Sequence, residues 1–207
     1  MLRRNREELK PRAGAGSRAR LALGALLAAL LIAPAHAGGA VSVTVEDGEG
    51  SYHVKGAFKV PVPASVAWDV LTDYDHIGQF VKSVRASEAD RQGVGWLLLR
   101  QDARGGFFPF QRTVHVRLDV REEADSLIRF RDVLAKDFHH YEGQWLIRVG
   151  WDETEVSYAL DARPTAAMPH GFGCTLMGHE AKDLLEQVRA EMIRRSNPTP
   201  APEGGGR

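Results

Sequence analysis

His139, Tyr158 and Arg112 are the residues of this sequence best suited to work on a carbonyl compound. An imidazole can serve as general acid or base, and a phenol and a guanidinium can donate to a developing enolate. Their spacing specifies no reaction. No Ser-His-Asp arrangement, phosphate-binding glycine fingerprint or paired-carboxylate motif accompanies them. Asp73 and Asp75 could also move protons, but at the end of a helical segment an Asp more often serves to stop the helix. Cys174 is the only cysteine, so no intrachain disulfide can form, and its place at the start of an apolar helix reads as a small packing residue. C-x-x-C pairs, H-E-x-x-H and acidic calcium loops are absent from the sequence, which predicts neither a metal site nor a cofactor. Enzyme chemistry is therefore the weaker reading. The same polar groups suit the orientation of a ligand in an apolar wall, Arg112 above all, since it falls on the apolar parity of its strand.

The elements that would position these residues are legible from periodicity. A strand over about residues 51–60 ends at Pro61 and Pro63. Val66, Ala67, Val70 and Leu71 then recur at helical spacing, and Ile77, Phe80 and Val81 repeat the pattern after an Asp73-Tyr74-Asp75 break, which predicts two short helices. Strand-like segments follow at about 83–90, 94–103, 110–121, 126–133, 137–150 and 154–163, with connections short enough for an antiparallel meander. The last element, about 173–195, carries Met177, Ala181, Leu184, Leu185, Val188 and Met192 as one apolar stripe along a long helix. The order predicts an α+β fold: a curved antiparallel sheet of about six to seven strands wrapped around the C-terminal helix, with volume enclosed between them.

Strand alternation selects the inward faces. Phe110, Arg112, Val114, Val116 and Leu118 share one, Ile128 and Phe130 a second, Tyr141, Trp145, Ile147 and Val149 a third, and Val156, Tyr158 and Leu160 a fourth. His139 shares the parity of Tyr141 and is expected to point inward. Phe107 and Phe108, beside Gly105 and Gly106, fit an entrance lid, and Met168 and Phe172 fit the opposite lip of the same mouth. Phe80 and Met177 complete the ligand-binding candidates.

Three stretches carry a family resemblance. Pro63-Ala64-Ser65-Val66-Ala67-Trp68-Asp69-Val70-Leu71-Thr72-Asp73-Tyr74 looks like the opening helix motif of START-like (SRPBCC) proteins. Phe80-Val81-Lys82-Ser83-Val84 resembles the stretch entering their second strand, and Phe138-His139-His140-Tyr141-Glu142-Gly143-Gln144-Trp145 resembles an aromatic-x-Gly-x-Trp strand of the polyketide cyclase/dehydrase and coenzyme Q-binding branch. The resemblance spans about residues 51–195 and implies a helix-grip fold with a lipid-sized cavity. It makes a lipid or an isoprenoid quinone the expected kind of ligand, with a polyketide cyclase or dehydratase as the rival reading and a protein-interaction module as a third.

Residues 1–37 read as a secretory signal: a basic start, an apolar run of 13 residues from Leu21 to Ala33, and the small-residue site Ala35-His36-Ala37. The run is shorter than the roughly 17–25 residues a spanning helix needs. Cleavage after Ala37 and a periplasmic location are the expectation. This segment holds seven basic and two acidic residues, so of 27 of each sign the remainder keeps 20 against 25, a net charge of −5. A mildly acidic body without basic runs argues against nucleic acid as the partner and leaves a hydrophobic small molecule, with transient membrane contact during its exchange. The expected organisation is an extension over 38–50, a ligand-binding domain over 51–195 and a disordered Pro/Gly-rich tail over 196–207.

Overall fold

The computed structural model describes residues 39–105, 111–166 and 172–197. The first paired segment is β1 (Ser42–Gly48), which forms a hairpin with β2 (Ser51–Val60) through Glu49 and Gly50. Both of these lie at positive φ (56° and 85°), the geometry of the two-residue turn that suits the twist of antiparallel strands. Helix α1 (Ala64–Leu71) follows Pro63 and stops at Thr72, where Asp73 and the next residues tighten into a 3₁₀ turn, Tyr74–Gln79. The second of the two expected short helices is thus a 3₁₀ turn.

A meander then runs through β3 (Val84–Gly93), β4 (Trp96–Gly105), β5 (Arg112–Glu123), β6 (Leu127–Asp132), β7 (Phe138–Val149) and β8 (Thr154–Pro164) into the terminal helix α2 (Phe172–Ser196). All pairings are antiparallel, in the spatial order β1-β2-β8-β7-β6-β5-β4-β3. The sheet therefore has eight strands rather than six to seven. The difference is β1, whose residues Ser42–Gly48 all pair with β2.

Helix α2 packs on β1, β2 and α1. The inner face of β2 is Tyr52, Val54, Gly56, Phe58 and Val60, all buried, while Ala57 on the other face is only partly so. Gly56 keeps the alternation regular because it is where Leu185 seats: a Cβ there would collide with the Leu185 Cδ1 methyl. At the far end of α2, the buried Glu191 accepts hydrogen bonds from Arg194 and Arg195 at 2.7 Å. Arg195 also reaches Asp73 at 2.7 Å and lies over the Phe80 ring at 5.5 Å, so the helix end is tied to the segment after α1. Two residues considered for proton transfer are thereby structural: Asp73 holds Arg195 and His76, and Asp75 accepts the Ala89 N–H of the edge strand β3 at 2.8 Å.

Strand β6 is only six residues long, so the first half of β5 lacks a ladder partner on that side. Side chains from the end of β6 and the β6–β7 connection fill the space: Asp132 accepts the Arg117 N–H and Asp137 the His115 N–H, both at 2.8 Å. Among the described residues no helix is long and apolar enough to cross a membrane.

Candidate functional site

The concave face of the sheet and the first half of α2 enclose a cavity of about 750 Å³, within the range typical of small-molecule sites. Its aliphatic walls come from alternate residues of successive strands: Leu99 on β4, Val114, Val116, Leu118 and Val120 on β5, Ile128 on β6 and Leu160 on β8. Leu71, Tyr74 and Ile77 line it from the α1 segment, and Leu176, Met177, Ala181 and Leu184 from α2. The cavity exists because α2 diverges in role along its length. Leu185, Val188 and Met192 are sealed at 0–1% exposure, whereas Met177 and Leu184 on the same stripe keep surface that faces the enclosed space.

An aromatic group occupies one wall. The Tyr158 ring lies 4.6 Å from Trp145 and 6.4 Å from Phe130, and the Tyr141 ring 4.6 Å from Phe138 and 6.0 Å from Phe130. Gly143 makes this packing possible, since a Cβ there would stand 2.6 Å from the Phe130 ring and collide with the Ala159 carbonyl. The glycine of the aromatic-x-Gly-x-Trp pattern is thus the seat of Phe130. The Tyr141 and Tyr158 hydroxyls stand near each other in this wall. Burial pushes the Tyr141 phenol up to about 12 and the Tyr158 phenol well above its ordinary value, so both stay protonated at neutral pH and act as donors. Burial likewise raises Tyr74, whose hydroxyl donates to Glu122 Oε1 at 2.8 Å.

Further polar residues line the cavity at the end of the strands where Phe138 pairs with Pro164. Arg104, Gly105, Gln111, Arg112, Pro164, Ala166 and Phe172 line the cavity where β4 runs out, β5 begins and β8 leads towards α2, which marks this end as the mouth. Arg112 is exposed at the rim, so its charge stays hydrated while it borders the apolar space. Glu180 lines the cavity from α2.

Of the residues singled out in the sequence, Arg112, Val114, Phe130, Tyr141, Trp145, Tyr158, Phe172 and Met177 line this cavity together. Phe107, Phe108, Phe110 and Met168 lie outside the described residues. Two of the ligand-binding candidates, and two further inward-face residues, are corrected. His139 is exposed: β7 slips register between Phe138 and His140, the extra residue resets the parity, and Phe138 rather than His139 enters the wall. Phe80 packs on the core beneath Arg195 and does not line the cavity. Val149, at the end of its strand, is 79% exposed, and Val156 is sealed core rather than cavity wall. Sequence reasoning missed Tyr74, Leu99, Gln101, Leu176 and Glu180, although the alternation Leu97, Leu99, Gln101, Ala103 was there to be read.

A sheet curled over one long helix around an apolar cavity is the helix-grip arrangement of START-like ligand-binding folds. The chain belongs to the polyketide cyclase/dehydrase and lipid transport family, whose model matches residues 60–189. Solved structures of similar fold include human STARD10 (TM-score 0.61, 16% identity, covering 75% of this chain and 70% of that one). The Zhui aromatase/cyclase of Streptomyces sp. R1128 is similar at TM-score 0.58 and 19% identity, covering 73% of this chain and 99% of that one. A STAR-related lipid transfer protein from Xanthomonas axonopodis aligns at TM-score 0.56 and 18% identity, covering 75% and 99%. No curated protein matches the chain.

Proposed function

We propose that this protein binds and carries a hydrophobic small molecule, a lipid or an isoprenoid quinone, in its internal cavity, and that it does so in the periplasm. The 750 Å³ cavity with its largely hydrocarbon walls carries the reading. Each methylene transferred into such a space contributes roughly 0.8 kcal/mol, enough for useful affinity without any chemistry. The family includes lipid transport in its description, and two of the similar structures are a STAR-related lipid transfer protein and STARD10. The location rests on the signal-like pattern of residues 1–37.

A polyketide cyclase or dehydratase is the second reading, favoured by the likeness to an aromatase/cyclase and by two phenol donors in the cavity wall. Carriage is preferred because the histidine proposed as its acid or base faces solvent and the phenols hold their protons at neutral pH.

The test is native mass spectrometry with organic extraction on mature protein purified from its own periplasm without detergent. A lipid or quinone co-purifying near one per protein supports carriage. Empty protein that also fails to bind a panel of fluorescent lipids overturns it. Recovery of the chain by osmotic shock with Gly38 at its N-terminus is the expected outcome for the location, and retention in the spheroplast fraction refutes it.

A further inference from the structure

The Tyr141–Tyr158 pair sets a stoichiometric problem in the cavity wall. Two hydroxyl groups hold two hydrogens, and a bond between them would use only one. Among the described residues neither hydroxyl has a further protein partner. Buried polar groups are almost always satisfied, and both rings line the cavity, so the remaining O–H is directed to whatever fills that space. Tyr158 itself is only 5% exposed, while Tyr141 is half-buried, and both line the cavity.

The surroundings restrict what can meet this donor. Phe130, Phe138 and Trp145 pack around the pair at centroid distances of 4.6–6.4 Å, a setting that accepts a flat ring. The cationic lining residues, Arg104 and Arg112, stand at the mouth and are exposed. An anionic head group therefore belongs at the rim, where it stays hydrated and meets the arginines, and not against the aromatic wall, where desolvating a charge would be costly.

We infer that the Tyr141–Tyr158 pair is a hydrogen-bonding subsite for a neutral oxygen acceptor, such as a ketone, quinone or ester carbonyl, carried on a ring of the bound hydrophobe. The inference rests on the carriage reading and refines it: the pair selects for oxygen on the ring, while the hydrocarbon walls supply most of the affinity. A phenol kept protonated by burial suits this role, since it donates without itself titrating.

Two probes that differ only by a carbonyl in place of a methylene, hexanophenone and hexylbenzene, test it by calorimetric titration of the full-length mature protein. Removing Tyr141→Phe and Tyr158→Phe together deletes both hydroxyls without leaving either unpaired. Hexanophenone affinity is expected to fall about tenfold in the double variant while hexylbenzene affinity holds or rises. The single variants, each retaining one donor, are expected to lose about threefold, and they carry the test should the double variant fold poorly by circular dichroism. The infrared carbonyl stretch of bound hexanophenone should be lowered in the wild type and return towards its hydrocarbon-solvent position in the double variant. Equal losses for both probes, or no loss for either, overturn the subsite and leave carriage standing. Wild-type protein that binds neither probe and none of the fluorescent lipids overturns carriage, and the subsite with it.

Discussion

Leu185, Val188 and Met192 in the second half of α2 are closed off in the core, Leu185 against β2, whereas Leu176, Met177 and Leu184 in its first half look into open volume. One helix with one apolar stripe therefore does two jobs. Where Gly56 on β2 lets the Leu185 side chain sink onto the strand, the sheet and helix meet and exclude space. Towards the start of the helix the sheet curls away through β4 to β7, and the stripe becomes cavity wall. Stability and binding are thus assigned to different halves of the same element.

The sharpest way to break that comparison is to truncate adjacent leucines. Leu185→Ala opens a void at a fully buried site and is expected to cost about 2–5 kcal/mol in urea denaturation. Leu184→Ala, which only enlarges space that already exists, should cost under about 1.5 kcal/mol. Similar losses at both positions would show that the two halves are packed alike. Gly143→Ala probes the aromatic wall: with Phe130 displaced and the Ala159 carbonyl crowded, a loss of about 1–3 kcal/mol is expected by the same method.

The closed half also has an electrostatic signature. Hydrogen bonding from Arg194, opposed by burial and reinforced by Arg195, holds the Glu191 carboxyl at about 2, below its ordinary 4.5. A depressed folded-state value means that this carboxylate stabilises the fold above about pH 4.5 and that the contribution disappears as pH falls towards 2. Because Arg194 is well exposed, the contribution is about 1–2 kcal/mol. Denaturation at about pH 6 and about pH 3 should show that loss in the wild type and a smaller one in Glu191→Gln. The smallest stability effect is expected from Leu184→Trp, which fills the open half: within about 1 kcal/mol of wild type, but with fluorescent-lipid affinity down about tenfold or more. Retained binding would detach the cavity from function.

What could be read beforehand followed local chemistry. Element order, the stripe on α2 and the inward set on β5 depend on periods of 3.6 and 2, and these survive folding unaltered. His139 was misplaced because a one-residue slip at Phe138/His140 leaves no mark in composition while inverting every assignment on its far side. Tyr141 and Tyr158 belong to neighbouring strands, and only the β7–β8 register, with Trp145 opposite Tyr158, places both in one wall. Phe130 over Gly143 is the same kind of fact: the glycine was visible as a motif, but its purpose lay on another strand.

The outer strand β3 has a consequence for how the molecule behaves in company. A sheet that does not close into a barrel keeps two edges at which a foreign strand could add. Along β3 that edge is interrupted by register irregularities at both ends, carries exposed Arg85, Glu88, Asp90 and Arg91, and has the Ala89 amide already occupied by Asp75. Edge-to-edge fibre growth meets charge, kinks and a capped donor there, so the chain can expose a ten-residue strand to its neighbours without templating their aggregation.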